Sequence, residues 1–349
     1  MSLFAKLFHR PHAESAVLIN IGSGSLSGAC IRYAEGQLPT ILYARHLPLE
    51  GHEGEDFAQA IVRTLEALTN LLVTEGAPAL QRFAGSGTAD RILISVDAPW
   101  QTTVLRVETI EAPALFSFTR HLITEEFEQP SFAPAGQFVV NESLVGTILD
   151  GYEVHAPFGK KASQAKIVIL ASAIVERLAK AATLVVRRSY HTKEISFISG
   201  ASLRYQAVRA AFPLERNYLI LDATGPEIAF ALVRQGLLVA VHDTPFRDPE
   251  TTSWITEVTK GLTELSEKYP LPYVIFLLAR SEDVEKLSAA LAAGNIGALW
   301  LSDNPPKILT LTAQHLHSLI KVVGEIPVDL ILALMTIYGE AGLENKYEK

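Results

Sequence analysis

Apolar and polar positions along the chain fall into a block that occurs twice. Residues 16–32, AVLINIGSGSLSGACIR, form two apolar runs around a Gly/Ser turn, the pattern of a strand, a tight loop and a returning strand. Then CIRYAEGQLPTILYARHLPLE continues as strand, turn and strand, EDFAQAIVRTLEALTNLLV carries apolar positions at helical spacing, and RILISVDA reads as another strand. From residue 217 the same order returns: NYLILD, the turn ATGP, EIAFALVRQGLLVAVHDTPF, the helical SWITEVTKGLTELSEKY and the strand YVIFLLA. Each copy turns its second hairpin at a glycine, Gly36 or Gly236, as a tight reversal requires. Counting from Asn20 to Gly36 and from Asp222 to Gly236 gives a first loop about two residues shorter in the second copy.

Residues 99–185 fall outside the duplication. WQTTVLRVETI reads as a strand, LFSFTRHLITEEFE as a helix, NESLVGTILDGYEV as a strand into a turn, and AKIVILASAIV as a strand running into a helix. The pattern therefore divides the chain into an N-terminal amphipathic tail (1–15), a first half (16–98, completed by 186–215 and a C-terminal helix, 325–349), an inserted α+β subdomain (99–185) and a second half (216–324). A length of 349 residues with 48% hydrophobic content is enough for more than one buried sheet.

Charge and composition exclude several classes of function. With 30 basic against 38 acidic residues the net charge is −8, and no basic stripe is interleaved with aromatics, so nucleic acid is not an expected partner. The single cysteine, Cys30, sits in an apolar strand and has no internal partner for a disulfide, which suits a reducing cytoplasm. The apolar runs YVIFLLA and LILALM fall far short of the roughly 20 residues that cross a bilayer. In the opening MSLFAKLFHR, Leu3, Phe4, Leu7 and Phe8 share one helical stripe while Lys6 and Arg10 lie off it, which reads either as peripheral contact with an anionic membrane or as a frayed terminus. His315 and His317 are two apart and cannot chelate together on a helix, and Ser23, Ser25 and Ser27 have no nucleophile elbow, so neither a metal centre nor a hydrolase is expected.

The stretch LVGTILDGYEVHAPFGKKASQAKIVILAS, with Gly151, Pro157, Phe158, Gly159 and Lys160, followed by ISFISGASLRYQAVRAAF, resembles the FtsA and PilM family, the cell-division and type IV pilus members of the actin-like ATPase superfamily. The resemblance runs from Ala16 to about Gly342. It implies an α/β chain of actin-like ATPase fold, two duplicated RNase H-like halves facing across a cleft, with an inserted α+β subdomain. It further implies a scaffold at the inner face of the cytoplasmic membrane. The partner would be an inner-membrane assembly protein bound through a short cytoplasmic segment, with Phe158, Gly159, Lys160 and Lys161 as partner-binding residues and sheet-edge pairing as the mode. The polar C-terminus GEAGLENKYEK favours the pilus branch. Division as the system served and self-association both stay open.

ATP-using members of that family bring three elements to the cleft, and each is altered here. The first D-x-G becomes Asn20, Ile21, Gly22, followed by Ser23, Gly24 and Ser25; the loss of a carboxylate weakens any hold on Mg²⁺. Gly22, Gly24 and Gly28 allow φ > 0 and can let backbone N–H groups converge on an anion. The second element is DATGPE, where Asp222, Thr224 and Gly225 survive but Pro226 has no N–H to donate. In the third, Ala279, Arg280 and Ser281 stand where a glycine pair would admit adenine. The expectation is a degenerate nucleotide site with no resident cofactor and weak or absent ATPase activity. The alternatives are an active ATP- and Mg²⁺-binding cytoskeletal protein on these same residues, and a kinase, which would need both phosphate loops intact.

Overall fold

Aliphatic runs of even spacing pair with their chain neighbours, and the crossover helices bring in the distant strands. The computed structural model describes residues 13–347 except 53, 129–132, 155, 193, 226, 246–250 and 301–305; the stripe Leu3, Phe4, Leu7 and Phe8 lies outside the described residues. In the first half, β1 (Ala13–Ile21), β2 (Ser25–Ala34) and β3 (Thr40–Pro48) form an antiparallel meander. The helix α1 (Phe57–Leu71), opened by an Asp56–Gln59 capping box, passes through a π turn at Leu72–Gly76 into α2 (Ala77–Ala84). The strand β4 (Arg91–Val96) then returns parallel to β1.

The insert follows. Its strands are β5 (Gln101–Ser117), β6 (Gln137–Leu149), β7 (Tyr152–Glu153) and β8 (Lys161–Val175), in the sheet order β5-β8-β6-β7, with α3 (Arg120–Glu128) beside them. Asp150 and Gly151 turn β6 into β7 with φ of 47° and 86°, the conformation an Asp-Gly hairpin requires. The helix expected from Leu115 onward begins only at Arg120, because Leu115–Ser117 prolong β5 and Phe116 and Ser117 pair with Ala162 and Lys161 of β8.

The chain returns to the first sheet through α4 (Glu176–Ser189) and β9 (Glu194–Ser199), and α5 (Gly200–Ala211) leads to the second half. There β10 (Tyr218–Asp222), β11 (Glu227–Arg234) and β12 (Leu237–Pro245) repeat the meander. They are followed by α6 (Thr251–Ser266), β13 (Val274–Leu278), α7 (Val284–Ala293) and β14 (Lys307–Leu311). The short β15 (Lys321–Val322) pairs with β3, and α8 (Leu330–Tyr347) packs on the first sheet. The six-stranded sheet has the order β15-β3-β2-β1-β4-β9 and the five-stranded one β12-β11-β10-β13-β14.

Strand register corrects the loop count made on the sequence. Asn20 pairs with Ser27 and Asp222 with Ala229, so the two first loops are of equal length. The missing residues lie in the strand beyond, since β2 has 10 residues and β11 has 8. Gly36 and Gly236 turn their hairpins at φ 68° and 87°, but Gly22, Gly24 and Gly28 are not among the positive-φ positions. Their bareness serves close approach instead: a Cβ on Gly22 would lie 2.9 Å from the Ser25 carbonyl oxygen, and one on Gly28 would lie 2.8 Å from Leu72 Cδ1.

One hydrophobic cluster crosses every boundary of the chain. Leu18 and Ile31 of the first half, Val145, Val168 and Leu170 of the insert, Val233 and Leu238 of the second half, and Leu332 to Met335 of α8 are buried together. The insert's sheet therefore covers apolar surface of the β11–β12 hairpin rather than standing apart. Leu238→Ala, at a side chain 1% exposed, should cost about 2–5 kcal/mol, measured by chemical unfolding; a change within experimental error would show that this junction is not part of the core.

Candidate functional site

The first hairpin of each half points at the other. A Cβ added to Gly225 would sit 3.8 Å from Ser23 Oγ, so the two loops meet across the cleft. Their N–H groups are partly engaged within the loops: Gly22 N donates to Ser25 O at 3.0 Å, and Thr224 N donates to Asp222 Oδ1 at 2.9 Å.

Next to this contact lies Arg204, on the second turn of α5 and 5% exposed. Its Nη1 donates to Asp97 Oδ1 at 2.7 Å, its Nε is paired with Asp222 Oδ2, and its Nη2 donates to Thr224 Oγ1 at 3.0 Å. The Thr224 hydroxyl donates onward to Asp222 Oδ1 at 2.6 Å. On the far side Asn20 Nδ2 donates to Asp97 Oδ2 at 3.3 Å, while Asn20 Oδ1 is buried without a partner among the described residues. Asp97 follows β4 of the first half and Asp222 ends β10 of the second, so one guanidinium joins the two halves.

Local sequence explains how the arginine gets there. Ser199 caps α5, its Oγ accepting from Ser202 N at 3.1 Å, and the same hydroxyl lies 2.8 Å from Thr103 Oγ1 and 2.9 Å from Ser172 Oγ of the insert. Gly200 supplies the space, because a Cβ there would run into Asp97 Oδ1 and Arg204 Nη1. Arg204 then stands one helical turn further on.

Burial by itself would lower the Arg204 pKa, but the Asp222 and Asp97 carboxylates outweigh it and hold the guanidinium above its usual range. It is a permanent cation. The cavity beside it, lined by Thr103, Arg204, Asp222, Phe230 and Asp243 among others, measures about 20 Å³, room for one water. Among the described residues no group of three or more His, Cys, Asp or Glu is placed to hold a metal.

Asp243 of β12 opens to cleft solvent yet has protein around most of it. Desolvation, then the nearby Glu227 and Asp222, push its pKa up to about 6, with Arg204 opposing.

Of the residues singled out on the sequence, Asn20, Gly22, Ser23, Asp222, Thr224 and Gly225 converge on this cleft. Gly24 and Ser25 complete the first loop, where Gly24 O accepts from Leu49 N and Ser25 O from Gly22 N. Arg280 is engaged at the start of α7 by Asp283, with Nη2 to Oδ2 at 2.7 Å. By strand register it holds the place in the second half that Asp97 holds in the first. Asp97 and Arg204 went unassigned on the sequence, although both lie in stretches read there. The available signal was an arginine four residues after a glycine in the otherwise uncharged SGASLRYQAV.

The Phe158–Lys161 turn is elsewhere, at the end of the insert. Phe158 is exposed, its ring 6.0 Å from Phe118 with the Arg120 guanidinium 5.3 Å above it. Gly159, at φ 80°, donates to Phe118 O at 2.9 Å, Lys160 O accepts from Phe118 N at 2.8 Å, and Lys161 pairs with Ser117. A separate groove of about 410 Å³ opens between α4, the start of β6 and β9, lined by Phe138, Ala179, Lys180, Leu184, Arg187 and Phe197 among others. Leu184 is 56% exposed there, and among the described residues β9 is the outermost strand of its sheet, paired with β4.

The raised Asp243 pKa gives a signed pH dependence. The folded chain keeps the Asp243 proton up to about pH 6, whereas an unfolded aspartate loses it near 3.8, so this residue's contribution to stability falls as pH rises between those values and stays low above. Asp243→Asn should raise Tm by about 2 °C at pH 7.5 and lose that advantage by pH 4 in thermal unfolding scans; a variant less stable than wild type at pH 7.5 contradicts the assignment.

No protein-family model and no curated protein sequence matches the chain. Among solved structures it is similar to a chain of the PilM-PilN type IV pilus biogenesis complex, with 14% identity over 94% of this chain and 98% of that one and a TM-score of 0.54. A protein of unknown function with an actin-like ATPase fold from Bacteroides thetaiotaomicron matches at 12% identity, over 89% and 94% of the chains, with a TM-score of 0.43. The ethanolamine utilization protein EutJ from Carboxydothermus hydrogenoformans matches at 10%, over 95% and 90%, with a TM-score of 0.42. Two repeated halves closing on a cleft, an inserted sheet, and superposition on the pilus-complex chain over nearly their whole lengths give this chain the actin-like ATPase fold.

Proposed function

We propose that this chain is a PilM-like scaffold of a type IV pilus assembly platform, standing at the inner face of the cytoplasmic membrane, that binds a short segment of an inner-membrane partner and has a degenerate nucleotide site. One observation carries the reading: the chain's own Arg204 engages the cleft carboxylates of both halves, while an open apolar groove lies at the boundary of the insert. A scaffold of this kind acts by where its surfaces sit, since a fold does not fix an activity.

The groove suits an extended segment with apolar anchors. Phe138, Leu184 and Phe197 offer apolar surface, and among the described residues β9 is paired on one side, so a guest strand has both side-chain pockets and a strand edge within reach. Lys180 is matched with Glu176 at 2.6 Å, leaving exposed Arg187 to favour a guest carrying acidic residues. The Phe158–Lys161 turn is the second contact candidate, though its ring and main chain are already engaged with Phe118 and Arg120.

The test is affinity capture from a detergent lysate of the source cells, with bound proteins identified by mass spectrometry. Wild type should retain a pilus inner-membrane protein, Leu184→Glu should lose most of it, and Phe158→Ala with Lys160→Glu should keep it. Capture lost only in the turn variant moves the partner to the turn; capture of division proteins alone overturns the pilus assignment.

Peripheral membrane contact belongs to the same proposal. Among the described residues no helix is long and apolar enough to cross a membrane. Leu3, Phe4, Leu7 and Phe8, with Lys6 and Arg10 beside them, give a weak anchor that needs anionic lipid. Deleting residues 1–12 should abolish flotation with anionic vesicles and leave Tm unchanged; unaltered flotation, or a large fall in Tm, speaks against it.

A further inference from the structure

The actin-like ATPase fold raises the question of a nucleotide and its metal ion, and the residues present do not fit them. A divalent cation needs oxygen ligands free to turn toward it, yet the carboxylates of Asp97 and Asp222 are both turned onto the Arg204 guanidinium. At the first loop an amide, Asn20, stands where a carboxylate would help hold the metal, and its Nδ2 is bonded to Asp97. A second cation placed here would meet a fixed positive charge in a site largely shielded from water.

Each part of the arrangement serves the arginine. Gly200 makes room for the Asp97 carboxylate and the guanidinium together. Thr224 accepts from Nη2 and donates to Asp222, so its hydroxyl is satisfied on both sides. The fork of donors on Arg204 spans carboxylates from different halves, which a lysine point charge would not do.

Resting on the nucleotide-free part of the proposed function, we propose that Arg204 is a built-in cation standing in for the metal and nucleotide between the two halves. It holds the cleft shut without any ligand, and its removal uncovers a divalent-cation site. In Arg204→Ala the Asp97 and Asp222 carboxylates lose their shared counter-charge. With the orphaned Asn20 Oδ1 and the Thr224 hydroxyl they then form a hard-oxygen set, completed by water, of the kind that binds Mn²⁺.

The experiment uses the full chain, with Mn²⁺ and Mg-ATP as probes, read by titration calorimetry and thermal unfolding. Wild type should show no binding heat and no change in Tm with either probe. Arg204→Ala should lose about 5–10 °C in Tm and regain at least half of it in low-millimolar Mn²⁺, with one ion bound per chain. Asp97→Asn combined with Arg204→Ala and Asp222→Asn should stay folded and ignore Mn²⁺. If Arg204→Ala is insoluble, refolding in Mn²⁺ becomes the readout, where recovery supports the proposal and failure beside a folded triple variant overturns it. A folded Arg204→Ala that is blind to Mn²⁺, in a protein whose wild type is blind to Mg-ATP, overturns this inference and leaves the scaffold reading standing. Micromolar Mg-ATP binding by wild type overturns the nucleotide-free reading itself.

Discussion

Taking a guanidinium and two carboxylates out of water costs several kcal/mol per ion, and only close geometry with full hydrogen bonding offsets it. Arg204 gathers its partners from separate parts of the chain: Asp97 after β4, Asp222 and Thr224 at the end of β10, and its own place on α5. Each ligand is fixed from behind. Asn20 bonds Asp97, Thr224 bonds Asp222, and the buried hydroxyls of Thr103, Ser172 and Ser199 set where α5 begins. Removing Arg204 would leave both carboxylates buried without their counter-charge, and removing either carboxylate would leave the guanidinium tied to one half alone.

The element order was legible because it rests on periodicity, and each half shows a run of apolar strands followed by a helix with one apolar face. The Gly36, Gly236 and Asp150–Gly151 turns were legible for the same local reason. Errors arose where a local signal was asked to report a tertiary fact. Spacing to Gly36 and Gly236 located a length difference in the loop, when cross-strand pairing places it in the strand. The glycines of the first loop permit left-handed backbone but do not use it: Gly22 is bare because Ser25 O approaches it, and Gly28 because Leu72 does. Neither approach can be seen until sheet and helix are in place.

The cleft was half legible. The absence of a carboxylate at Asn20 and the presence of one at Asp222 are facts of single positions, and both residues lie where the halves face each other. Arg204 was invisible for a physical reason: an isolated arginine on a short helix looks like any solvated charge, and only the folded chain brings two carboxylates to it. Register adds a comparison the sequence hid. The two halves carry opposite charges at matching places, Asp97 in one and Arg280 in the other. Only the aspartate turns into the ion pair with Arg204, while Arg280 is tied to Asp283 at the surface. The repeat is thus symmetric in its backbone and asymmetric in its electrostatics.

The groove and the helix that carries Arg204 share a strand, β9. β9 presents Phe197 to the groove and, two residues later, ends in Ser199, the cap of the helix that carries Arg204. Ser199 is also the point where hydroxyls of the insert's β5 and β8 converge, so three segments fix its position. Close-packed interiors transmit small displacements rather than absorb them. Phe197 in the groove and the Ser199 cap of α5 lie two residues apart on one short strand. The groove wall and the helix that carries the ion pair are therefore built on the same strand end, held by the hydroxyls of Thr103, Ser172 and Ser199.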